Sequence, residues 1–178
     1  VYLKLGKQLL EELNAAKGDV DRTKVLRESF VSFLTSIEKR EQGQTVGSLM
    51  WVATTYEVFA ENSRDDDTAR EYRKKAVGAF EKIIERKRQD KKFTSEVVLV
   101  AVQMRLAQAL RGCGDFDGAF QLLADILMKR PRRIDVQFEA ATILQDWAAA
   151  EKNQKRFTEA IVGKTIKGKT NLVWGWAR

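Results

Sequence analysis

The sequence contains no histidine, an absence that bears on both catalysis and metal binding. Histidine is the most common general base near neutral pH and the most common metal ligand. Cys113 is the single cysteine, so the chain cannot form an internal disulfide or a thiolate metal cluster. We therefore expect no enzyme activity, no metal centre and no cofactor, with Cys113 as a small packing residue in a turn.

Proline and long apolar runs are also scarce. One proline and 11 glycines among 178 residues leave little chain for loops or linkers. The longest apolar run covers residues 97–102, far short of the ~20 residues needed for a membrane span, and no secretory signal pattern opens the chain. These features predict a domain without a membrane span, in the cytoplasm by default. Because the chain begins with valine, we expect it to be a piece of a longer protein.

Apolar residues recur with helical periodicity along the whole chain. The pattern predicts eight helices, joined by short turns and arranged as four antiparallel pairs. The second helix is expected to begin after a capping Asp19 or Asp21. The fifth is expected to begin after Thr94 or Ser95.

Two segments admit more than one assignment from the pattern. Residues 97–102 are rich in β-branched side chains and could form a buried strand. They continue without a break into a helical pattern, however, and no other segment offers a partner strand, so we expect a helix there. The eighth helix is expected from residue 157 to about residue 166.

Small residues recur where paired helices must approach each other closely. In the first helix of each pair these are Gly6, Ala53, Ala107 and Ala141. In the second helix they are Ser29, Ala76, Ala119 and Ala160. Ala107 and Ala141 are separated by 34 positions, which is the period of a known helical repeat.

The clearest repeat lies between residues 106 and 131. An apolar face of one helix, a glycine turn, an apolar face of a second helix and a terminating proline follow one another there. The matching positions are Leu106, Ala107, Leu110, Gly114, Phe116, Ala119 and Pro131.

On these positions, residues 100–133 resemble a tetratricopeptide repeat, and residues 134–167 resemble a second, looser copy. The sequence departs from the family at Gln103, where an aromatic residue is favoured, and in an extension between Leu144 and Phe157. The resemblance implies an all-α, right-handed solenoid of about four antiparallel helix hairpins over residues 1–170. A related helical-hairpin solenoid is nearly as compatible with the pattern.

Residues 171–178 lie where the first helix of a further repeat would begin. Gly175 follows Ala141 by 34 positions and would occupy the small-residue position of that helix. The segment also holds two tryptophans, which need cover from solvent. Two interpretations stay open, the start of a further repeat and a C-terminal cap packed on the preceding pair.

The same resemblance implies that exposed positions of the first helices line a concave groove. By spacing, these are Lys7, Glu11, Met50, Thr54, Glu57, Met104, Gln108, Arg111, Phe138, Thr142 and Gln145. Their mixture of charged, polar and apolar side chains suits a peptide or partner protein held by a few apolar anchors and hydrogen bonds. The alternative is that Met50, Met104 and Phe138 only pack between neighbouring helices.

The formal net charge is +7, and the charges are distributed regularly along the chain. Basic clusters follow the second helices, whereas aspartates fall in the turns inside each pair. In a stack of hairpins these two sets of turns lie on opposite edges, here named the basic rim and the acidic rim. The basic rim is expected to include Arg86, Lys87, Arg88, Lys129, Arg130, Arg132 and Arg133.

Two interpretations of the basic rim stay open. Cations at helix C-termini complement the helix dipole, for ~0.3–1 kcal/mol each. Alternatively, the rim attracts an anionic partner such as nucleic acid. The pattern lacks the interleaved exposed aromatic residues that bind single strands, so nucleic acid is the less favoured partner.

Two short motifs are better explained by structure than by chemistry. Residues 163–170 match G-x-x-x-x-G-K-[ST], but a phosphate-binding loop needs a strand before it and a long helix after it. A predicted helix precedes this motif and the chain ends soon after it, so we expect a lysine-rich turn. Asp65, Asp66 and Asp67 lack the spacing and the closing glutamate of a calcium loop, and we interpret them as helix-capping residues.

These features predict a non-catalytic protein-interaction scaffold that binds an unidentified peptide or partner protein in the concave groove. Anion or nucleic-acid binding through the basic rim is one alternative. A regulatory or spacer role in a larger multidomain protein is the other.

Overall fold

The computed structural model describes residues 2–16, 18–40, 42–63, 65–166 and 169–177. Within these ranges the chain forms eight α-helices followed by one two-stranded antiparallel hairpin. In chain order the elements are α1 (Tyr2–Ala15), α2 (Val20–Glu38), α3 (Val46–Glu61), α4 (Asp66–Gln89), α5 (Glu96–Cys113), α6 (Phe116–Lys129), α7 (Ile134–Glu151), α8 (Gln154–Val162), β1 (Lys164–Ile166) and β2 (Lys169–Val173). The predicted all-α architecture of eight helices is confirmed, and the right-handed sense of the stack stays a prediction.

The β-branched segment at 97–102 is helical, as expected, because it belongs to α5. Ser95 caps this helix by accepting a hydrogen bond from the backbone N–H of Val98. Asp19 caps α2 in the same way through the N–H of Arg22. Short polar side chains therefore set the helix starts at the predicted positions.

A two-residue turn joins α5 to α6. Gly114 adopts a left-handed conformation with φ of 85°, and its N–H donates to the carbonyl oxygen of Arg111. The carboxylate of Asp115 then accepts from the N–H of Gly118 at 2.9 Å and so begins α6. Gly114 ends α5 and Asp115 starts α6, which explains why two residues are enough to connect the two helices.

Each helix packs against its neighbours in the sequence, and α5 also contacts α7. Val102 and Leu106 of α5 belong to an apolar cluster with α1, α2, α3 and α4. Val100 and Ala107 of the same helix belong to a second cluster with α6, α7, α8 and the β-hairpin. Leu110 packs against both clusters, so the core continues through α5.

The small residues mark close helix contacts at most of the expected positions. A Cβ atom on Gly6 would lie 2.3 Å from the Trp51 ring, so α1 can approach α3 only with glycine there. The expectation for Ser29 is wrong, because Ser29 is exposed and the adjacent Phe30 is buried instead. Side chains at neighbouring helix positions point ~100° apart. Because the Phe30 side chain points into the core, the Ser29 side chain points into solvent. The other positions are buried: Ala53, Ala76, Ala107, Ala119, Ala141 and Ala160.

The eighth helix ends earlier than expected, at Val162 rather than near residue 166. Gly163 has φ of 97°, a conformation that interrupts the helix, and the chain then enters β1. Lys164 of β1 is the register partner of Val173 of β2. A Cβ atom on Gly163 would lie 2.4 Å from the carbonyl oxygen of Val173. Only glycine therefore lets the backbone of Val173 come this close at the start of β1.

Residues 171–173 belong to β2, and residues 174–177 form no helix. Trp176 and Ala177 donate backbone hydrogen bonds, each 2.9 Å long, to the carbonyl oxygens of Ala160 and Ile161. These carbonyls belong to the last turn of α8, where carbonyl oxygens have no N–H partner within the helix. A Cβ atom on Gly175 would lie 2.0 Å from the backbone carbonyl oxygen of Ile161. A residue without a side chain is therefore needed here so that the C-terminal segment can approach α8.

Candidate functional site

The positions predicted to line a groove lie mostly on α3, α5 and α7 and are partly accessible. Glu11 on α1 is exposed, and the side chain of Lys7 lies outside the described residues. Phe138 and Gln145 are exposed on α7. The remaining positions are half-buried: Met50, Thr54, Glu57, Met104, Gln108, Arg111 and Thr142.

The three apolar positions of this set behave differently. Met50 and Met104 pack against the two core clusters, which supports their interpretation as helix-packing residues. Phe138 is 60% exposed. Of the three, only Phe138 offers an aromatic surface to a partner.

Two threonines of the set have their hydroxyls engaged within their own helices. The Thr54 hydroxyl donates to the carbonyl oxygen of Met50 at 2.9 Å. The Thr142 hydroxyl donates to the carbonyl oxygen of Phe138 at 3.0 Å. Each hydroxyl can still accept a hydrogen bond, because oxygen lone pairs stay available.

Charged and amide side chains connect α3, α5 and α7 on this face. The carboxylate of Glu57 on α3 pairs with Arg105 of α5 at 2.5 Å. Between α5 and α7, Gln108 donates to Glu139 at 3.0 Å. These interactions link the first helices of successive pairs, and they engage two predicted groove residues within the chain.

Arg111 bridges two carboxylates of α7. Its Nε lies 3.6 Å from an oxygen of Glu139, and its Nη1 donates to Asp146 at 3.2 Å. Glu139 is only 8% exposed, so its charge depends on Arg111 and on the amide of Gln108. Hereafter the surface formed by Glu57, Arg105, Gln108, Arg111 and Asp146 is named the polar trough.

Two cavities flank α5 within the polar trough. The cavity toward α3 has a volume of about 380 Å³ and reaches Glu57 and Arg105. The cavity toward α7 has a volume of about 530 Å³ and reaches Asp146. Gln108 and Arg111 of α5 line both cavities, as does Arg73 of α4, so these three side chains are the polar groups shared by the two sides.

Phe138 of α7 and Trp176 of the C-terminal segment form an exposed aromatic pair. The rings of Phe138 and Trp176 meet edge to face, with centroids 4.9 Å apart and planes at 89°. Trp176 is 43% exposed, and Ile134, one helical turn before Phe138, is 73% exposed. The backbone bonds of the C-terminal segment to α8 hold Trp176 in place. Large apolar side chains that remain in solvent together are typical of binding surfaces.

The first basic cluster is largely engaged in holding the α4–α5 loop. Lys87, whose side chain is 11% exposed, donates to the carbonyl oxygens of Lys91 and Thr94 and pairs with Glu96 at 3.3 Å. Arg86 donates to the side chain of Gln44 at 3.4 Å. Arg88 extends into solvent beside Glu85.

The second basic cluster lies at the same edge of the molecule. Lys129 and Arg130 line a small cavity together with Glu96, the partner of Lys87. Arg133 pairs with Asp135, and this hydrogen bond holds the pKa of the Asp135 carboxyl below its usual range. The cations of this rim that are exposed are Arg88, Lys129, Arg130 and Arg132.

The phosphate-loop-like segment has the wrong surroundings for a nucleotide site. In the described residues α8 precedes it, β1 lies inside it and β2 begins at its end, whereas a phosphate-binding loop needs a strand before it and a helix after it. Asp65 accepts a hydrogen bond from the N–H of Thr68 at 2.8 Å and so caps α4. Both observations agree with a structural origin of these motifs.

No group of three or more His, Cys, Asp or Glu side chains in the described ranges is arranged to hold a metal ion. Cys113 is half-buried, and burial raises the pKa of its thiol, which disfavours the reactive thiolate. None of the helices in the described part of the chain is both long and apolar enough to cross a membrane.

Sequence reasoning missed four residues of this face: Arg105, Glu139, Asp146 and Trp176. Arg105 precedes Gln108 by three positions, a spacing that places both on one helix face. Glu139 follows Phe138 directly and faces the neighbouring helix, which periodicity alone did not indicate. Nothing in the local pattern places Trp176 on Phe138.

Comparisons with protein-family models, curated proteins and solved structures give no match for this chain. The resemblance to tetratricopeptide repeats therefore stays a prediction, based on positions between Leu106 and Pro131. The structure defines an all-α chain of helix pairs with a polar trough and an exposed aromatic pair.

Proposed function

We propose that this chain is a non-catalytic protein-interaction scaffold, similar to tetratricopeptide-repeat domains, that binds a peptide segment along α3, α5 and α7. The observation that carries the proposal is the exposed Phe138, whose ring meets Trp176 on α7, the helix that also carries Asp146 of the polar trough. Aromatic anchors supply much of the binding energy in peptide and protein recognition, and nearby polar groups fix the register.

The polar trough supports binding of a polar peptide with one apolar side chain. Arg105 and Arg111 are held by carboxylates, so little conformational entropy is lost when a peptide adds further hydrogen bonds. Carboxylates and guanidinium groups alternate there, which disfavours a ligand of one charge sign. The apolar side chain would contact Phe138, Trp176 and Ile134.

A displayed library of random peptides, selected on the full chain, tests the proposal. We expect enriched peptides whose dissociation constant rises at least about tenfold in Phe138→Ala, as for a central aromatic anchor. Val25→Ala is the matched control, because Val25 is 61% exposed on α2, outside the trough. Circular dichroism establishes that both variants remain folded.

Three outcomes contradict this function. The library yields no enriched peptide, the peptides bind Phe138→Ala as well as the wild type, or Val25→Ala weakens binding equally. A chain that binds no peptide would instead favour a regulatory or spacer role.

The basic rim favours a second candidate function, binding of an anionic macromolecule. Lys129, Arg130 and Arg132 are exposed at one edge, where Lys129 and Arg130 line a small cavity with Glu96 and Asp125. Neutralising phosphate contacts lowers the slope of log affinity against log salt by about 0.7–0.9 for each contact. We expect Arg130→Gln with Arg132→Gln to lower this slope for an oligonucleotide, and Lys155→Gln, on α8, to leave it unchanged.

A further inference from the structure

A second cleft separates α2 from α4, apart from the polar trough. Near their C-terminal ends, Lys82 of α4 donates to the backbone carbonyl oxygen of Glu38 of α2. Toward their N-terminal ends, the two helices line a cavity of about 760 Å³ together with Asn62 and Asp65. This volume lies in the range of small-molecule binding sites, which span roughly 300–1,000 Å³.

Cations outnumber anions in this cleft. Lys24, Arg27 and Lys75 line it, together with Glu28 and Asp65. Asp65 already accepts the hydrogen bond that caps α4, which lowers the pKa of its carboxyl. Asp65 therefore stays ionised, and the three cations exceed the two anions by one charge, which favours a negatively charged ligand.

Arg27 is the residue best placed to hold such a ligand. Its side chain bonds to the hydroxyl of Tyr72, but its Nε is buried and has no acceptor among the described residues. A buried N–H group without an acceptor is costly, and the planar guanidinium matches the geometry of carboxylates and phosphates. An oxyanion in the cleft would pair with the Arg27 guanidinium where it lines the cavity, next to this buried Nε–H.

The wall beside Arg27 is apolar and aromatic. Tyr72 stacks on Tyr56 and meets Phe59 edge to face, so its ring is held in one orientation. Val31 lines the cleft as well. A flat apolar group can therefore lie next to the anion-binding donors.

We propose that this cleft binds a small organic oxyanion, a phosphate monoester or carboxylate carried on a flat apolar group. Arg27 and Lys75 hold the oxyanion, and Tyr72 with Val31 contacts the apolar group. The shared chemistry can come from a free small molecule or from a modified side chain of a partner. The site is separate from the polar trough, so it does not depend on the function proposed above.

Titration of the full chain with phenyl phosphate tests the proposal, because arginine Nε–H groups give separate signals in ¹H–¹⁵N spectra. We expect a saturable shift of the Arg27 Nε–H signal, with weaker binding of phenol and of inorganic phosphate. Calorimetry should show an affinity loss of at least about tenfold in Arg27→Gln, the loss expected for a charge-assisted hydrogen bond. Arg88→Gln is the matched control, since Arg88 is exposed and distant from the cleft.

A shift that does not saturate, an equal shift at Arg88, or unchanged affinity in Arg27→Gln overturns the proposal. If Arg27→Gln does not fold, Lys75→Gln takes its place, with the same expected direction. A phosphotyrosine peptide identifies the source of the ligand. Binding much tighter than that of phenyl phosphate indicates a partner side chain, and equal binding indicates a free small molecule.

Discussion

The side-chain oxygen of Gln137 accepts a hydrogen bond from the backbone N–H of Trp174 at 2.7 Å. The amide nitrogen of the same side chain donates to the carbonyl oxygens of Leu172 at 2.6 Å and Pro131 at 2.8 Å. Gln137 is 3% exposed, so one buried amide on α7 pairs with the outer edge of β2. A two-stranded hairpin alone is marginally stable in water, and this contact fixes it to the helices.

We expect Gln137→Leu to lower the free energy of unfolding by about 2–4 kcal/mol, because three hydrogen bonds are lost and backbone groups stay buried without partners. Gln145→Leu is the matched control on an exposed position of α7, with an expected change within about 0.5 kcal/mol. Urea denaturation measures both. Equal stability of the two variants would mean that the hairpin does not depend on Gln137.

Gly175 tests the contact between the C-terminal segment and α8. Alanine would place its Cβ 2.0 Å from the carbonyl oxygen of Ile161, so the segment must move and Trp176 must leave Phe138. We expect a loss of about 1–3 kcal/mol and a change in tryptophan fluorescence for Gly175→Ala. Gly47→Ala is the control, because a Cβ atom on Gly47 of α3 would lie 3.8 Å from the Thr45 hydroxyl, an ordinary contact, and it should be neutral or stabilising. Unchanged fluorescence in Gly175→Ala contradicts the expectation.

Part of this architecture was predictable from local sequence, because apolar periodicity and capping residues act over a few positions. Ser95, Asp115 and Gly114 set helix ends through contacts with residues three or four positions away. The glycine turn at Gly114 is as predicted, and of the two predicted caps of α5, Thr94 and Ser95, the structure shows Ser95. The end of α8 was not predictable in this way. Leu172 and Val173 are buried against α6 and α7, so tertiary contacts stabilise the hairpin.

The candidate site follows the same division. Spacing predicted Glu57, Gln108 and Arg111 at exposed groove positions, and the structure shows all three half-buried. Their partners lie 28 to 48 positions away in the sequence, as in the pairs Arg111–Glu139 and Arg105–Glu57. Periodicity along one helix carries no information on which side chain of another helix it meets, so the ion pairs of the trough required the structure.

A double-mutant cycle tests the ion pairs between α5 and α7. Arg111→Met leaves the buried carboxylate of Glu139 with only the amide of Gln108, and we expect a loss of about 1–3 kcal/mol. Glu139→Gln in the same chain removes the unpaired charge and should restore part of that loss, with a coupling energy of about 1 kcal/mol. Additive effects of the two substitutions in urea denaturation would show that the two side chains do not interact.

Glu38 predicts a specific dependence of stability on pH. Burial raises the pKa of its carboxyl, and the opposing effect of Lys82 and Lys75 is smaller. The folded state therefore holds this proton more tightly than the unfolded state, so the ionised carboxylate lowers stability at neutral pH, and that cost disappears as pH falls. We expect Glu38→Gln to be more stable than the wild type at pH 7.

The measurement is urea denaturation of both proteins across the acid range. The difference between Glu38→Gln and the wild type should shrink as the pH falls through the range in which Glu38 binds its proton. Glu81→Gln, on an exposed position of α4, is the control and should show no such trend. A difference that grows on acidification contradicts the burial of Glu38 as the dominant effect.

Lys87 and Arg88 are adjacent cations of the basic rim with different expected roles. Lys87 holds the α4–α5 loop through two carbonyl oxygens and Glu96, so Lys87→Gln should lower the free energy of unfolding by about 1–3 kcal/mol. The Arg88 side chain is 74% exposed, and Arg88→Gln should change stability by less than about 0.5 kcal/mol. If the rim binds an anionic macromolecule, the salt dependence of binding should change in Arg88→Gln, because the Arg88 guanidinium is exposed beside Glu85 and can contact a phosphate. Equal stability losses in the two variants, measured by urea denaturation, would contradict this division of the rim into structural and accessible cations.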